Sequence, residues 1–360
     1  TELLDDLIVR QLARSNDLVV QRALAALKRL APKVDATDKA GYARWWTNAK
    51  ATWASEPWSK RERAEGGKAT MAVAQRAFDL YQAGLDMVVC IDSTGSMQPT
   101  IDALGAALGE MVDILDGLSP KMRLAIVHYK ECGELGKTGA KVVQPFSKNI
   151  AAAQKELGDL RAEGGGDLPE AVLGGLEQSL DAKLNWKKDA NKLVVLIGDA
   201  PPHPHERSKV IDLVRAAHDN PGSRGNKPTT GAKVPETPFL TSCIGVVVTL
   251  EGKLKDQPGY REFVDSQKTM REDFTAIAEA GGGVYVEVEF TFTDEPPPAS
   301  GKERKEKAKE QEKARDAIAS GATKRIVEHI LVLSFGEQFA AEMRDFVRIF
   351  YEYKEAGLIK

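Results

Sequence analysis

Three short stretches of the chain gather hydroxyls and carboxylates at spacings that suit a cation. Asp92-Ser93-Thr94-Gly95-Ser96-Met97 follows one apolar run, and Asp199-Ala200-Pro201-Pro202-His203 follows another. Between them, Gly164-Gly165-Gly166-Asp167-Leu168-Pro169-Glu170 opens a helical stretch. Brought together, Asp92, Thr94, Ser96, Asp167, Glu170 and Asp199 supply oxygen ligands only. Oxygen donors with no sulfur and no obligatory imidazole suit a hard cation: Mg²⁺, or Mn²⁺ or Ca²⁺. Mg²⁺ seldom fills its six positions from protein alone. Neutral hydroxyls as direct ligands leave the ion electrophilic, so it seeks an anionic oxygen from outside. That is a binding device.

Each motif taken alone has a plainer reading. Asp and Ser at a strand-to-helix turn satisfy free amides as an N-cap. Proline followed by Glu170 is an ordinary helix start, and Asp199 before two prolines suits a turn. His203 and His205 beside Asp199 suggest zinc, but the local sequence offers no third nitrogen or sulfur ligand. The combination of three loops distinguishes the oxygen set, provided that one fold brings them to one place.

The elements that would do so are legible as apolar runs. Met87 to Ile91, Leu124 to Val127, Leu193 to Ile197 and Ile244 to Val248 are short, continuously apolar and separated by helical stretches. Such runs belong to a parallel sheet covered on both faces. Val284, Val286, Val288, Phe290 and Phe292 instead alternate with Tyr285, Glu287, Glu289 and Thr291, as an edge strand guarded against further pairing does. The expectation is an α/β fold: a doubly wound, mostly parallel, Rossmann-like sheet of about six strands. In such a sheet all three loops emerge at the carboxyl edge, around the topological switch point. A helix over 170–180 follows the glycine loop, and helical periodicity over 324–355 closes the fold.

Two insertions interrupt this pattern. Residues 219–240 are rich in proline and glycine and read as a loop. Residues 294–322 begin Asp-Glu-Pro-Pro-Pro and continue into a charged tract without an apolar face, a solvated arm leaving the edge strand. Upstream, Leu4, Leu7, Ile8 and Leu12, then Val20, Leu24, Leu27 and Leu30, repeat at helical spacing on either side of Ser15-Asn16-Asp17. They predict an αα-hairpin that cannot bury its apolar face alone. Trp45, Trp46, Trp53 and Trp58 cluster after it and read as a packing seam. The expected organisation is a helical segment over 1–58, a linker and connecting helix over 59–83, and the sheet domain over 84–355.

The three loops resemble the metal-ion-dependent adhesion site of the von Willebrand factor type A (vWA) domain. Asp92, Thr94 and Ser96 match its D-x-S-x-S element with threonine in the second slot, and Asp199 matches its strand-terminal aspartate. The middle loop is similar to the D-x-P-E version of integrin β subunits and many bacterial members. The resemblance implies that Thr94 and Ser96 bind the metal directly and that Asp92 and Asp199 act largely through water. It also implies that Glu170 is a ligand, with Asp167 secondary or loop-fixing. An open position would accept Asp or Glu of a partner protein. Residues 1–58, with Gly41-Tyr42-Ala43-Arg44-Trp45-Trp46, resemble the end of a HEAT-type repeat array, which implies a scaffold with further repeats before Thr1.

Composition narrows the alternatives. Fifty basic and 53 acidic residues leave a net charge of −3, which does not favour a strongly basic nucleic-acid binder. No apolar run approaches the ~20 residues of a membrane-spanning helix. Three cysteines without CxxC spacing make neither a disulfide framework nor a zinc knuckle. Thr1 in the place of an initiator methionine suggests a fragment or a processed chain, and the compartment stays open. The expected function is a non-enzymatic, divalent-metal-dependent protein-interaction module. A haloacid-dehalogenase-type phosphatase would need a second acid two residues after Asp92, where Thr94 stands. A Ro-like RNA-binding particle would favour a basic helical segment, but residues 1–80 carry only 14 basic against 10 acidic side chains.

Overall fold

The computed structural model describes residues 8, 20, 23, 24, 27, 34, 36, 38–55, 65–118, 121–165, 168–220, 237–293 and 321–355. The chain divides into two compact units: Thr1–Thr70 with Ile349–Lys360, and Met71–Arg348. In the first unit, helix α1 (Lys39–Ser55) places Tyr42 and Trp46 in a small core with Ile8, Ala23 and Leu27. Trp45 packs against Trp46 with ring centroids 5.6 Å apart. These two tryptophans are therefore packing residues; Trp58 and the greater part of the expected αα-hairpin lie outside the described residues.

The second unit follows helix α2 (Glu65–Ala83) with strand β1 (Leu85–Asp92), every residue of which is buried. Helix α3 (Gln98–Leu118) leads to β2 (Arg123–Tyr129) and β3 (Ala140–Ser147). Helices α4 (Ile150–Asp159) and α5 (Val172–Ser179) precede β4 (Asn191–Gly198). Helix α6 (Arg207–Asp219), β5 (Phe239–Glu251), α7 (Tyr260–Ala280) and β6 (Gly282–Thr293) complete the alternation. The strand order is β3-β2-β1-β4-β5-β6, parallel throughout except that β3 runs antiparallel to β2.

This mixed six-stranded sheet, flanked by helices, is the expected α/β Rossmann-like arrangement. One face carries Val88, Cys90, Val127, Leu196 and Val247 against α5, α6 and α7. Met87, Val89, Ile91 and Ile126 on the other face are equally buried. There α4 contacts β2 and β3 and packs on α3. Thr323 of helix α8 (321–335) bonds the Ala103 carbonyl of α3 at 3.4 Å.

Three details depart from the expectation. β3 has no apolar run: Lys141, Gln144 and Pro145 interrupt it, as an edge strand tolerates. β5 extends well upstream of Ile244, because Thr241 and Ser242 are buried despite their polarity. The helical stretch expected over 324–355 is two helices, α8 and α9 (Ala340–Glu355). They are separated at Gly336, whose φ of 108° ends α8, and by a short 3₁₀ turn. The 219–240 loop and the 294–322 arm lie almost entirely outside the described residues. Among the described residues, no helix is long and apolar enough to cross a membrane.

Candidate metal centre

Strand order reverses between β1 and β4, and this is where the three loops meet. Asp92 ends β1 fully buried. Ser93 is tied down by its neighbours. Its amide donates to Tyr129 O at 2.9 Å, and its hydroxyl lies 3.0 Å from His128 Nδ1. Pinning Ser93 aims the next residues the other way, and a 3₁₀ turn over Gly95–Met97 presents Thr94 and Ser96 to the cleft.

Glu170 reaches the same place from the middle loop. Its amide donates to Pro201 O at 3.0 Å, and it pairs with Pro202 as a parallel bridge, so the second and third loops are laced together. Close packing fixes its helix: a Cβ on Gly174 would fall 1.8 Å from Thr138 O, and one on Gly175 2.8 Å from the Tyr129 ring. Only glycine lets α5 lie this low on the sheet. The turn at Gly164 and Gly165, both at φ +80°, folds over Thr94 and is held by a 2.9 Å bond from the Gly165 amide to Glu134 Oε1.

The result is a cleft of about 310 Å³. Thr94, Ser96, Glu170 and Asp199 line it, with Leu168 at its rim and Phe263 and Ser266 contributed by α7. Asp92 lies beneath Thr94, and Asp167 lies outside the described residues. Lys130, Glu134, Phe263 and Ser266 were not foreseen. Glycine repetition hinted at the turn, but nothing in sequence pattern points from α7 to this cleft.

The electrostatics are those of acids short of a counter-charge. Asp92 Oδ1 accepts two hydrogen bonds from Thr94, one from the amide and one from the hydroxyl, both 2.8 Å. Oδ2 is buried and has no hydrogen-bond partner among the described residues. Burial pushes the Asp92 carboxyl up to about 8; the charge of Asp199 adds to the rise, while the Thr94 bonds and Lys130 oppose it. Burial likewise raises Asp199, with the Ser96 hydroxyl pulling it partway back. Lys130 is itself buried, but its ammonium is engaged by Glu163 O at 2.7 Å. A divalent cation would reverse this balance by favouring the ionised carboxylates. Because the Thr94 hydroxyl gives its hydrogen to Asp92, its lone pairs are left for a cation. The residues present therefore fit a hard cation.

No protein-family model matches the chain. It is 31% identical over 123 residues to an ariadne-like RING finger protein of Acanthamoeba polyphaga mimivirus, across 34% of this chain and 12% of that protein. It is 26% identical over 133 residues to the alpha-protein kinase vwkA of Dictyostelium discoideum, across 36% of this chain and 20% of that protein. The chain thus spans a fifth or less of the length of these curated relatives. Among solved structures, BatB of Bacteroides thetaiotaomicron aligns at TM-score 0.39 and 16% identity, over 64% of this chain and 98% of that one. The pilus adhesin SpaC of Lactobacillus rhamnosus GG, in its open conformation, aligns at TM-score 0.40 and 12% identity, over 68% of this chain and 30% of that one.

Proposed function

We propose that the Met71–Arg348 unit is a vWA-type protein-interaction module that works through a divalent cation, Mg²⁺ in the first instance. Thr94, Ser96 and Glu170 would hold the ion, with Asp92 and Asp199 acting through water and Asp167 available from the middle loop. The bound ion supplies a Lewis-acidic centre for a carboxylate of a partner protein. What supports this reading above all is Asp92: a buried carboxylate with one oxygen fully engaged and the other without a donor, at the base of a cleft lined by hydroxyls and two more acids. Leaving a buried acceptor unmet costs ~1–3 kcal/mol, and a cation beside it removes that cost.

The module binds rather than catalyses. A phosphoryl-accepting aspartate of the haloacid-dehalogenase type needs an acid two residues on. Here that position is Thr94, which locks Oδ1. In the same reading, the Thr1–Thr70 unit is a HEAT-like helical scaffold that carries the module. The test is thermal unfolding with and without Mg²⁺. The wild-type chain should rise in melting temperature with Mg²⁺ by mass action, and Ser96→Ala and Asp199→Ala should abolish the rise. A wild-type chain indifferent to Mg²⁺, Mn²⁺ and Ca²⁺ would overturn the reading.

A further inference from the structure

A second cluster, with donors of a different kind, sits beside the oxygen site. Glu131 and Cys132 occupy the loop after β2, and His203 closes the Asp199-Ala200-Pro201-Pro202 run. A carboxylate oxygen, the thiol and an imidazole nitrogen of these three lie within 4.8 Å of one another. His203 Nε2 is 3.1 Å from Glu131 Oε1. The same oxygen accepts the Cys132 amide at 2.5 Å. Glu131 Oε2 is buried without a hydrogen-bond partner among the described residues, and so is Oε2 of Glu206. Glu206 follows closely in the same turn, its amide bonded to His203 O at 2.8 Å.

Sulfur, imidazole and carboxylate together are a borderline-soft set that suits four-coordinate Zn²⁺, with bonds of ~2.3 Å to sulfur and ~2.0–2.2 Å to nitrogen and oxygen. Those lengths place tetrahedral ligand atoms roughly 3.5 Å apart. The side chains must close by about 1 Å, a rotamer adjustment for three residues that all stand on loops. The local sequence around His203 holds no third soft ligand; the fold supplies it by bringing Cys132 alongside. Cys132 is exposed, so solvent metal can reach it.

We propose that Glu131, Cys132 and His203 form a Zn²⁺ site with an open fourth position, separate from the oxygen-only site and sharing the 199–203 loop with it. Binding replaces the thiol S–H bond by a Zn–S bond, and the proton leaves to solvent. The proposal does not depend on Mg²⁺ binding in the neighbouring cleft.

Co²⁺ is the probe, added to the metal-free full chain at neutral pH. The expected spectrum has a thiolate-to-Co²⁺ charge-transfer band in the near ultraviolet and intense tetrahedral d–d bands, both bleached by equimolar Zn²⁺. Cys132→Ser should lose the near-ultraviolet band while keeping the wild-type circular dichroism spectrum. His203→Ala should weaken Co²⁺ binding by at least about tenfold, and Ser96→Ala should leave the spectrum unchanged. Absence of the charge-transfer band in the wild-type chain overturns the site, as does a band that survives Cys132→Ser. A spectrum that disappears with Ser96→Ala and persists in His203→Ala would place the Co²⁺ in the oxygen cleft and would equally overturn it.

Discussion

Replacing Asp92 by asparagine separates a residue that serves the fold from one that serves a cation. The substituted amide keeps the carbonyl oxygen that accepts both Thr94 bonds. It also puts an N–H donor where Oδ2 has no partner, in a field made negative by Asp199. Without metal at pH 8, the variant should gain by placing no charge in a buried site beside Asp199, ~1–3 kcal/mol. For a unit of roughly 280 residues, an unfolding entropy near 2.1 cal/mol/K per residue converts this to about 2–5 °C of melting temperature. Mg²⁺ at about a hundred times its dissociation constant should stabilise the wild-type chain by ~2.7 kcal/mol. On the same conversion that is about 4–5 °C. Asp92→Asn should lose this gain, so its advantage in EDTA closes or reverses in Mg²⁺. Differential scanning calorimetry of both, in both buffers, measures all four states. An Asp92→Asn chain less stable than wild type in EDTA, or one with an undiminished Mg²⁺ response, would falsify the assignment of Asp92 to a cation.

Three further outcomes follow from the same geometry. In its folded state Asp92 keeps its proton up to about pH 8, whereas the unfolded carboxyl releases it near 3.8, so its contribution to stability falls as pH rises through that window. Buried His128, lowered to about 4 from 6.5, works oppositely but only below pH 6.5; melting temperature in EDTA should therefore fall from pH 6.5 to 8, and Mg²⁺ should flatten the slope. Asp86, buried at the amino end of β1 and held by Arg123 Nε at 2.8 Å and the Lys187 amide at 2.7 Å, is far along the strand from the cleft. Its change to alanine should cost about 3 kcal/mol in chemical denaturation while leaving the Mg²⁺-induced shift intact. Gly165→Ala combines φ +80° with a Cβ 3.1 Å from Thr94; it should cost ~1–3 kcal/mol of strain and weaken Mg²⁺ binding in calorimetric titration.

How far each feature could be read in advance depended on whether its cause is local. β1, β2 and β4 are buried on both faces, so their sequences are unbroken apolar runs, and β6 shows its edge position by alternation. β3 escaped notice because an exposed edge strand places no apolar demand on Lys141, Gln144 or Pro145. The break between α8 and α9 rests on one glycine within an otherwise helical periodicity. At the cleft, Thr94, Ser96, Glu170 and Asp199 stood out by residue type and by their places after apolar runs. Phe263, Ser266 and the pairing of Cys132 with His203 did not. Those depend on how α7 crosses the sheet and on where two loops meet in space, and neither leaves a spacing in the chain.

The most direct test is isothermal titration of Mg²⁺ into the metal-free full chain at pH 8, alongside Asp199→Ala. Saturable binding at one site in the wild-type chain, absent from the variant, is the expected result. No heat of binding in the wild-type chain, or identical isotherms for the two proteins, would contradict a cation centre in this cleft and with it the carboxylate-capturing module.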